Sequence, residues 1–480
     1  MKNILIYLTV MITISLSLES SAQNIGDALR LASPSYSTNA RSLGMGNSYL
    51  SVSDDATAMF FNPAGLGFVK RMELTAAMDY YKYSNTTTFF GEKSDYSNSK
   101  TGVSQFAFVF PFPTYQGSFA VGLSYHQIKN FTGAMQFDGF NTESTMTSDL
   151  ANSDYQASRD IPYYLELSDS LDNTQLTNKL QQYGSSLKSG TLDNWNIAAS
   201  MEIAKNLFIG ATLGISSGKY ESNSSFTEAD LRGIYDTIST NPLNPALTKK
   251  FSYFGVDNVI NWELSGSEFT FGLLYQLKQL GRVGFTIAFP KSYTIKENFS
   301  TSITCAFGTG FIPDPLSREY SMEYDITTPF VFSGGGSINI AGVIASADIS
   351  FTDYTETQFS NASGINVQDI AYLNKSIKEA LRSTLNYNLG AEYILTDTGL
   401  RLRGGYFIQQ SPYKDDPTTF DKKFLTFGLG FLVDDNLSID FAYMHGWWKD
   451  YGDNYGTNLS RTYQEIKVNR FSASFSYRFI

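Results

Sequence analysis

The side chains able to run covalent or metal chemistry are few and scattered. Two histidines, His126 and His445, stand far apart without the spacing of a ligand set, and read as ordinary strand residues. The single cysteine, Cys305, excludes an internal disulfide. Gly334-Gly335-Gly336 has neither a following helix nor a lysine, so it is no phosphate loop. The acid pairs Asp54-Asp55, Asp415-Asp416 and Asp434-Asp435 fall where turns and loops are expected, as solvated residues. The expectation is a protein with no catalytic residue, no metal and no cofactor.

What remains is binding chemistry. Met59, Phe60 and Phe61 offer apolar, adaptable surface to a greasy ligand or to a protein wall. Asn62-Pro63-Ala64 follows directly. Pro63 fixes φ and removes a donor, and Asn62 can bond local backbone in the resulting bend. Further along, Arg401, Arg403 and Arg470 either meet a ligand carboxylate or pair with Glu392 and Asp440.

Those residues need a scaffold. Lys2, the apolar run from Ile4 to Leu18 and Ser20-Ser21-Ala22 read as a secretory signal over residues 1–22. Beyond it no stretch of 18 apolar residues occurs. Charged residues make up 17%, below the usual quarter, while Phe (37), Tyr (31) and Gly (38) are plentiful. That balance suits strands with one oily and one polar face. A net charge of −11 leaves no basic stripe for nucleic acid.

The carboxyl-terminal stretch NRFSASFSYRFI alternates without exception, with Phe471, Ala473, Phe475, Tyr477 and Phe479 on one face. The same period places strands near 73–83, 101–110, 116–128, 193–204, 206–221, 266–277, 280–290, 329–340, 343–354, 384–395, 399–410, 421–433, 436–447 and 467–479. Between 250 and 340, VDNVINWEL and EYSMEYDIT are extra strands or long extensions. Short connections alternate with long ones throughout. Fourteen strands with short turns on one side and long loops on the other match an outer-membrane barrel. The rival is a soluble sandwich or propeller. Crossing length, Arg and Glu on the polar face, and aromatics such as Tyr80, Tyr81 and Trp447 at strand ends favour the membrane. The fold expected is an all-β, 14-stranded antiparallel transmembrane barrel over 73–480, a monomer without a free strand edge.

Such a barrel is roughly 28 Å across with a bore of roughly 16 Å. Residues 23–72 show little strand character beyond a weakly helical GDALRLASPS. Fifty residues fill about 6,500 Å³, against about 6,000 Å³ in that bore. They therefore make a plug, or hatch, inside the lumen.

ARSLGMGNSYLSVSDDATAMFFNPAGL (40–66), with its Asn62-Pro63-Ala64 motif, resembles the amino-terminal signature of the FadL/TodX long-chain fatty acid and hydrocarbon transporters. Residues 401–413, 419–431 and 437–447 resemble the carboxyl-terminal third of its members. The resemblance implies passive outer-membrane transport of hydrophobic compounds, with long-chain fatty acids first, through an internal pocket gated by the hatch. It implies lateral exit into outer-membrane lipid near a kink in the third strand, where Gly117 and Gly122 weaken the ladder. Residues 161–167 and 226–235 are the best apolar candidates for capture. Residues 367–382 form an amphipathic helix, with Ile370, Leu373, Ile377 and Leu381 on one face, for the barrel rim or for ligand. Two other functions stand beside this one. A PorV-like scaffold for secreted proteins carries a similar amino-terminal stretch, and an open porin needs no plug.

Overall fold

The computed structural model describes residues 25–479 apart from 279, 396 and 397, so the expected signal segment 1–22 lies outside the described residues. The chain closes one antiparallel barrel of fourteen strands. They are β1 (Glu73–Phe89), β2 (Glu92–Phe112), β3 (Phe119–Asn130 and Gly133–Asn141), β4 (Leu180–Ala204), β5 (Leu207–Ala229), β6 (Phe251–Leu277) and β7 (Gly281–Ala288 and Ser292–Phe307). The second half is β8 (Leu316–Thr327 and Val331–Ile340), β9 (Val343–Asp353 and Gln358–Ser363), β10 (Ser383–Leu395), β11 (Leu400–Gln409), β12 (Lys422–Leu432), β13 (Leu437–Asp453) and β14 (Arg461–Arg478). Four strands are broken by short irregular steps; both halves of β7 and of β8 keep the same neighbours, whereas the second half of β3 pairs with β4 alone. Pairing of β1 with β14, from Glu73 opposite Arg478 onward, closes the ring.

Alternation decides which face meets oil. On β14, Phe471, Phe475 and Tyr477 point outward at 55%, 43% and 40% exposure, while Arg470, Ser472 and Ser474 are buried inside. This inverts a soluble core, because the apolar side chains face lipid and the polar ones face the filled lumen.

All fourteen expected strands are present, and most run further than expected. The loop expected over 84–100 is a two-stranded extension of β1 and β2, turning at Phe90 and Gly91. VDNVINWEL and EYSMEYDIT are extensions of β6 and β8. In these extensions the inner face is covered by other parts of the chain, with Phe89, Trp262 and Tyr324 buried, and the outer face is more polar, so the oily-out, polar-in period of the membrane segments is lost.

The region before β1 lies inside the ring. It contains α1 (Ile25–Ala32), α2 (Ala40–Gly44), α3 (Ala58–Phe61) and a 3₁₀ turn (Pro63–Phe68). Helix α1 packs Ala28, Leu29 and Leu31 into the largest apolar cluster, beside Trp262, Tyr324 and Phe359 of the wall. Arg30 lies over Tyr220 and Trp262, with centroids at 4.1 and 5.0 Å, and pairs with Asp27. The amphipathic helix α4 (Val367–Ala380), in the β9–β10 loop, covers the same cluster through Ile370, Leu373 and Ile377.

Candidate functional site

Residues 40–72 form the tight part of the hatch. Asn39 caps α2 by accepting from the Arg41 N–H at 2.9 Å. Asn62 does the same for the 3₁₀ turn, its Oδ1 accepting from Ala64 N at 3.1 Å, with Pro63 in the first helical position where no donor is missed. The Asn62 amide then donates twice, to the carbonyls of Leu50 and of Leu273 on β6, both at 3.1 Å. The wall leaves room for this. A Cβ on Gly272 would fall 2.1 Å from Asn62 Oδ1, and one on Gly210 would fall 2.4 Å from Pro63 C. Asn62, Pro63 and Ala64 therefore sit against β5 and β6 as a seam, away from the cavities described below.

Charge fixes the same unit. Arg41 contacts Asp54 at 2.7 Å, Asp55 at 3.1 Å and Glu392 of β10 at 3.4 Å. Arg282 of β7 reaches Asp54 at 3.2 Å. Burial alone would raise the Asp54 carboxyl, but Arg41 and Arg282 outweigh it and hold Asp54 well below the usual carboxylate range. Arg403 bridges Glu392 at 2.6 Å and Asp440 at 2.7 Å. Glu73 accepts from Ala56 N at 2.9 Å and from Arg478 Nε at 2.8 Å. The first acid pair of the sequence is thus no solvated turn but the hatch's ionic anchor. Arg403, expected as a pocket candidate, is consumed by this network. Arg401 on the same strand has no carboxylate within 4 Å among the described residues, and neither arginine borders a cavity named below.

Met59, Phe60 and Phe61 do border one. They floor a cavity of about 220 Å³ whose opposite wall is polar, with Thr286, Ser333, Asn386 and Gln409 among its residues. Phe60 lies edge-on to Phe61 at 4.9 Å, and Phe61 meets Tyr49 at 5.6 Å. Above it a larger space of about 400 Å³ is walled by Leu29, Tyr81 and Trp448 and carries Lys129, Lys188 and Lys422. The linker Ser33–Ser35 borders both spaces, so this arm separates them. Among the described residues none of the three lysines has a carboxylate within 4 Å. Lys129 donates to the Ser33 carbonyl, and Lys422 lies 5.2 Å from the Trp448 ring.

The wall parts beside the arm. Pairing of β2 with β3 stops at Gln105 opposite His126. The β3–β4 register then slips between Gln127 and Lys129, and the second half of β3 crosses behind the β1–β2 hairpin. There Asn85 Nδ2 donates to Ala134 O at 3.1 Å, and Asn98 of β2 reaches past β3 to Lys188 O of β4 at 3.2 Å. The arm is pinned at this break. Thr38 Oγ1 lies 2.8 Å from His126 Nδ1, and Asn39 Nδ2 donates to Gln105 Oε1 at 3.0 Å. Neither glycine expected at the kink marks it. Gly117 lies in the β2–β3 turn at φ +75°, and Gly122 sits in intact ladder opposite Val109, where its missing side chain admits the Met59 sulfur.

The family model described as outer membrane protein transport protein (OMPP1/FadL/TodX) matches residues 20–479. The chain belongs to this family. Its barrel is accordingly an outer-membrane one. Among solved structures it is similar to a Pseudomonas aeruginosa FadL homologue, at 15% identity and TM-score 0.57 over 93% of this chain and 99% of that one. It is equally similar to the Pseudomonas putida toluene transporter TodX, at 15% identity and TM-score 0.57 over 92% and 98%. The monoaromatic hydrocarbon channel CymD follows, at 16% identity and TM-score 0.51 over 92% and 97%. At these identities the likeness carries the fold alone. No curated protein matches the chain.

Sequence reasoning missed Tyr36, His126 and the three cavity lysines. A lysine at an inward position of an aromatic-rich strand was the available signal. It also passed over Gly214-Ile215-Ser216-Ser217-Gly218, which has the spelling of a nucleophile elbow. That stretch is unbroken β5, and Ser216 Oγ donates to Asn194 Oδ1 at 2.7 Å.

Proposed function

We propose that this family member carries long-chain fatty acids passively across the outer membrane, without catalysis, as a monomer. The observation that supports the reading is the upper cavity, where an aromatic and aliphatic wall stands beside three lysines that, among the described residues, have no carboxylate within 4 Å, although Asp416 and Asp450 share the lining. A neutral hydrocarbon needs the wall but gives the lysines nothing. An anionic amphiphile uses both, its chain burying apolar surface and its head meeting ammonium groups. The chain end would extend past the arm onto Phe60 and Phe61. Release would be sideways, through the parting of β2 and β3, while residues 40–72 keep the lumen plugged.

Uptake of labelled oleate into proteoliposomes tests the reading. It stands if oleate enters faster than into protein-free liposomes and outcompetes toluene. It falls if toluene enters and oleate does not.

A further inference from the structure

The parting holds a charged pair that the hatch network does not use. Arg470 of β14 and Asp79 of β1 are both buried, at 7% and 8% exposure, and form an ion pair on the lumenal face. They sit diagonally across the seam, since Asp79 is opposite Ser472 and Tyr81 opposite Arg470. Among the described residues the guanidinium donates one side-chain hydrogen bond, from Nη2 to Asp79 Oδ2. Its remaining donors are unmatched, although a guanidinium has five. Asp79 Oδ1 is buried without a partner. A small space of about 30 Å³ adjoins the pair, bounded by Tyr36 of the arm, Lys100 of β2, and Gln127 and Asn130 of β3. This is the place where β2 and β3 share no ladder bonds.

We propose that Arg470 is a head-group station for the carboxylate of an anionic amphiphile leaving sideways, with Asp79 as its built-in competitor. The inference rests on the transport reading above and adds a residue that selects charge at the exit. In the closed state Asp79 occupies one edge of the guanidinium and Tyr36 blocks the space. When the arm withdraws, a ligand carboxylate takes the unmatched donors, a fit that planar guanidinium offers and ammonium does not. Asp79 keeps that hold weak, so the head passes on toward Lys100 and the bilayer instead of staying bound. Lys129 lines the cavity, and Arg470 and Lys100 line the space beside the parting.

The test uses the full chain in proteoliposomes with two probes of equal length, oleate and oleyl alcohol. In a double variant, Arg470→Gln with Asp79→Asn, the uptake ratio of oleate to oleyl alcohol falls about tenfold, as expected for losing a charge-assisted hydrogen bond. Asp79→Asn alone moves the other way: more oleate stays bound through gentle purification, read by mass spectrometry, and its release slows. An unchanged ratio in the double variant together with unchanged retention in the single one overturns the station while leaving transport intact. If the wild type carries oleyl alcohol but not oleate, both the station and the fatty-acid reading fall.

Discussion

The amide of Asn62 donates to the Leu273 carbonyl of β6 at 3.1 Å, tying the hatch to the barrel wall by a side chain inside a backbone ladder. Its second donor bond goes to Leu50 O and its oxygen caps Ala64 N, so every group of that amide but one lone pair is used. Asn62→Ala strands these buried backbone groups, at about 1–3 kcal/mol. The expected result in planar bilayers is a rise in open-channel events, and Asn62→Asp repeats it because two donors are lost. Silent membranes from both variants would show that the seam does not hold the plug.

Gly272→Val attacks the same seam from the wall side. Its Cβ would meet Asn62 Oδ1 at 2.1 Å, so the 3₁₀ turn must move. Overpacking of this kind costs about 1–3 kcal/mol. Denaturant unfolding should lose that amount, and conductance should rise as for Asn62→Ala. A variant as stable and as closed as wild type would mean that the turn yields without cost.

Arg41→Ala takes from Asp55 its ion-pair partner and leaves Asp54 to Arg282 and Glu392 to Arg403, and removing one partner of a buried ionic set typically costs about 3–5 kcal/mol. The pH dependence follows from Asp54. Its folded carboxyl lies below its unfolded value, so its contribution is complete above the ordinary range and is lost only as pH falls through the depressed value. Wild-type channels should therefore stay closed on acidification to about pH 4, the ordinary carboxylate range, and open only in stronger acid. Opening between neutral pH and about pH 5 contradicts this.

Thr38→Val removes the arm's bond to His126 and keeps the side chain's shape. One buried hydrogen bond is about 1 kcal/mol, or about a fivefold shift in the population of a displaced arm. A spin label at Ser35→Cys, in a Cys305→Ser background, should report a more mobile spectrum. Conductance should not change, because residues 40–72 keep their own anchors. A rise in conductance would show that arm and plug move as one piece.

Replacing Lys129, Lys188 and Lys422 together by Gln keeps their bulk and removes their charge. Retention of oleate should fall by about tenfold or more, one charge-assisted contact being enough for that. Equal losses for oleate and oleyl alcohol would assign the lysines to packing.

The barrel was legible because lipid and lumen demand opposite residues at successive positions, as Phe471, Ser472 and Ala473 display. The hatch was legible as bulk, since residues 23–72 lack that period and match the bore. The upper hairpin of β1 and β2 was not, because Ser94 to Ser99 stand largely in water while the inner face of β1, at Asn85, Thr87 and Phe89, is covered by the second half of β3. The parting was hidden for another reason. Loss of ladder bonds after His126 is a matter of backbone path, and glycine, the residue read as its sign, instead marks close contact with the hatch at Gly122. Asp54 read as solvated because one of its partners, Arg282, lies 228 residues away, whereas Arg403, with Glu392 and Asp440 only 11 and 37 residues off, left ligand contact and ion pairing both open.

Glu73 accepts from Ala56 of the hatch with one oxygen and from Arg478 with the other. The first strand, the last strand and the interior segment thus converge on a single carboxylate. Closure of the final seam and docking of the interior are therefore energetically coupled through Glu73. A chain whose leader is misplaced leaves Glu73 without its Ala56 bond, so the stopper and the sealed vessel stabilise one another.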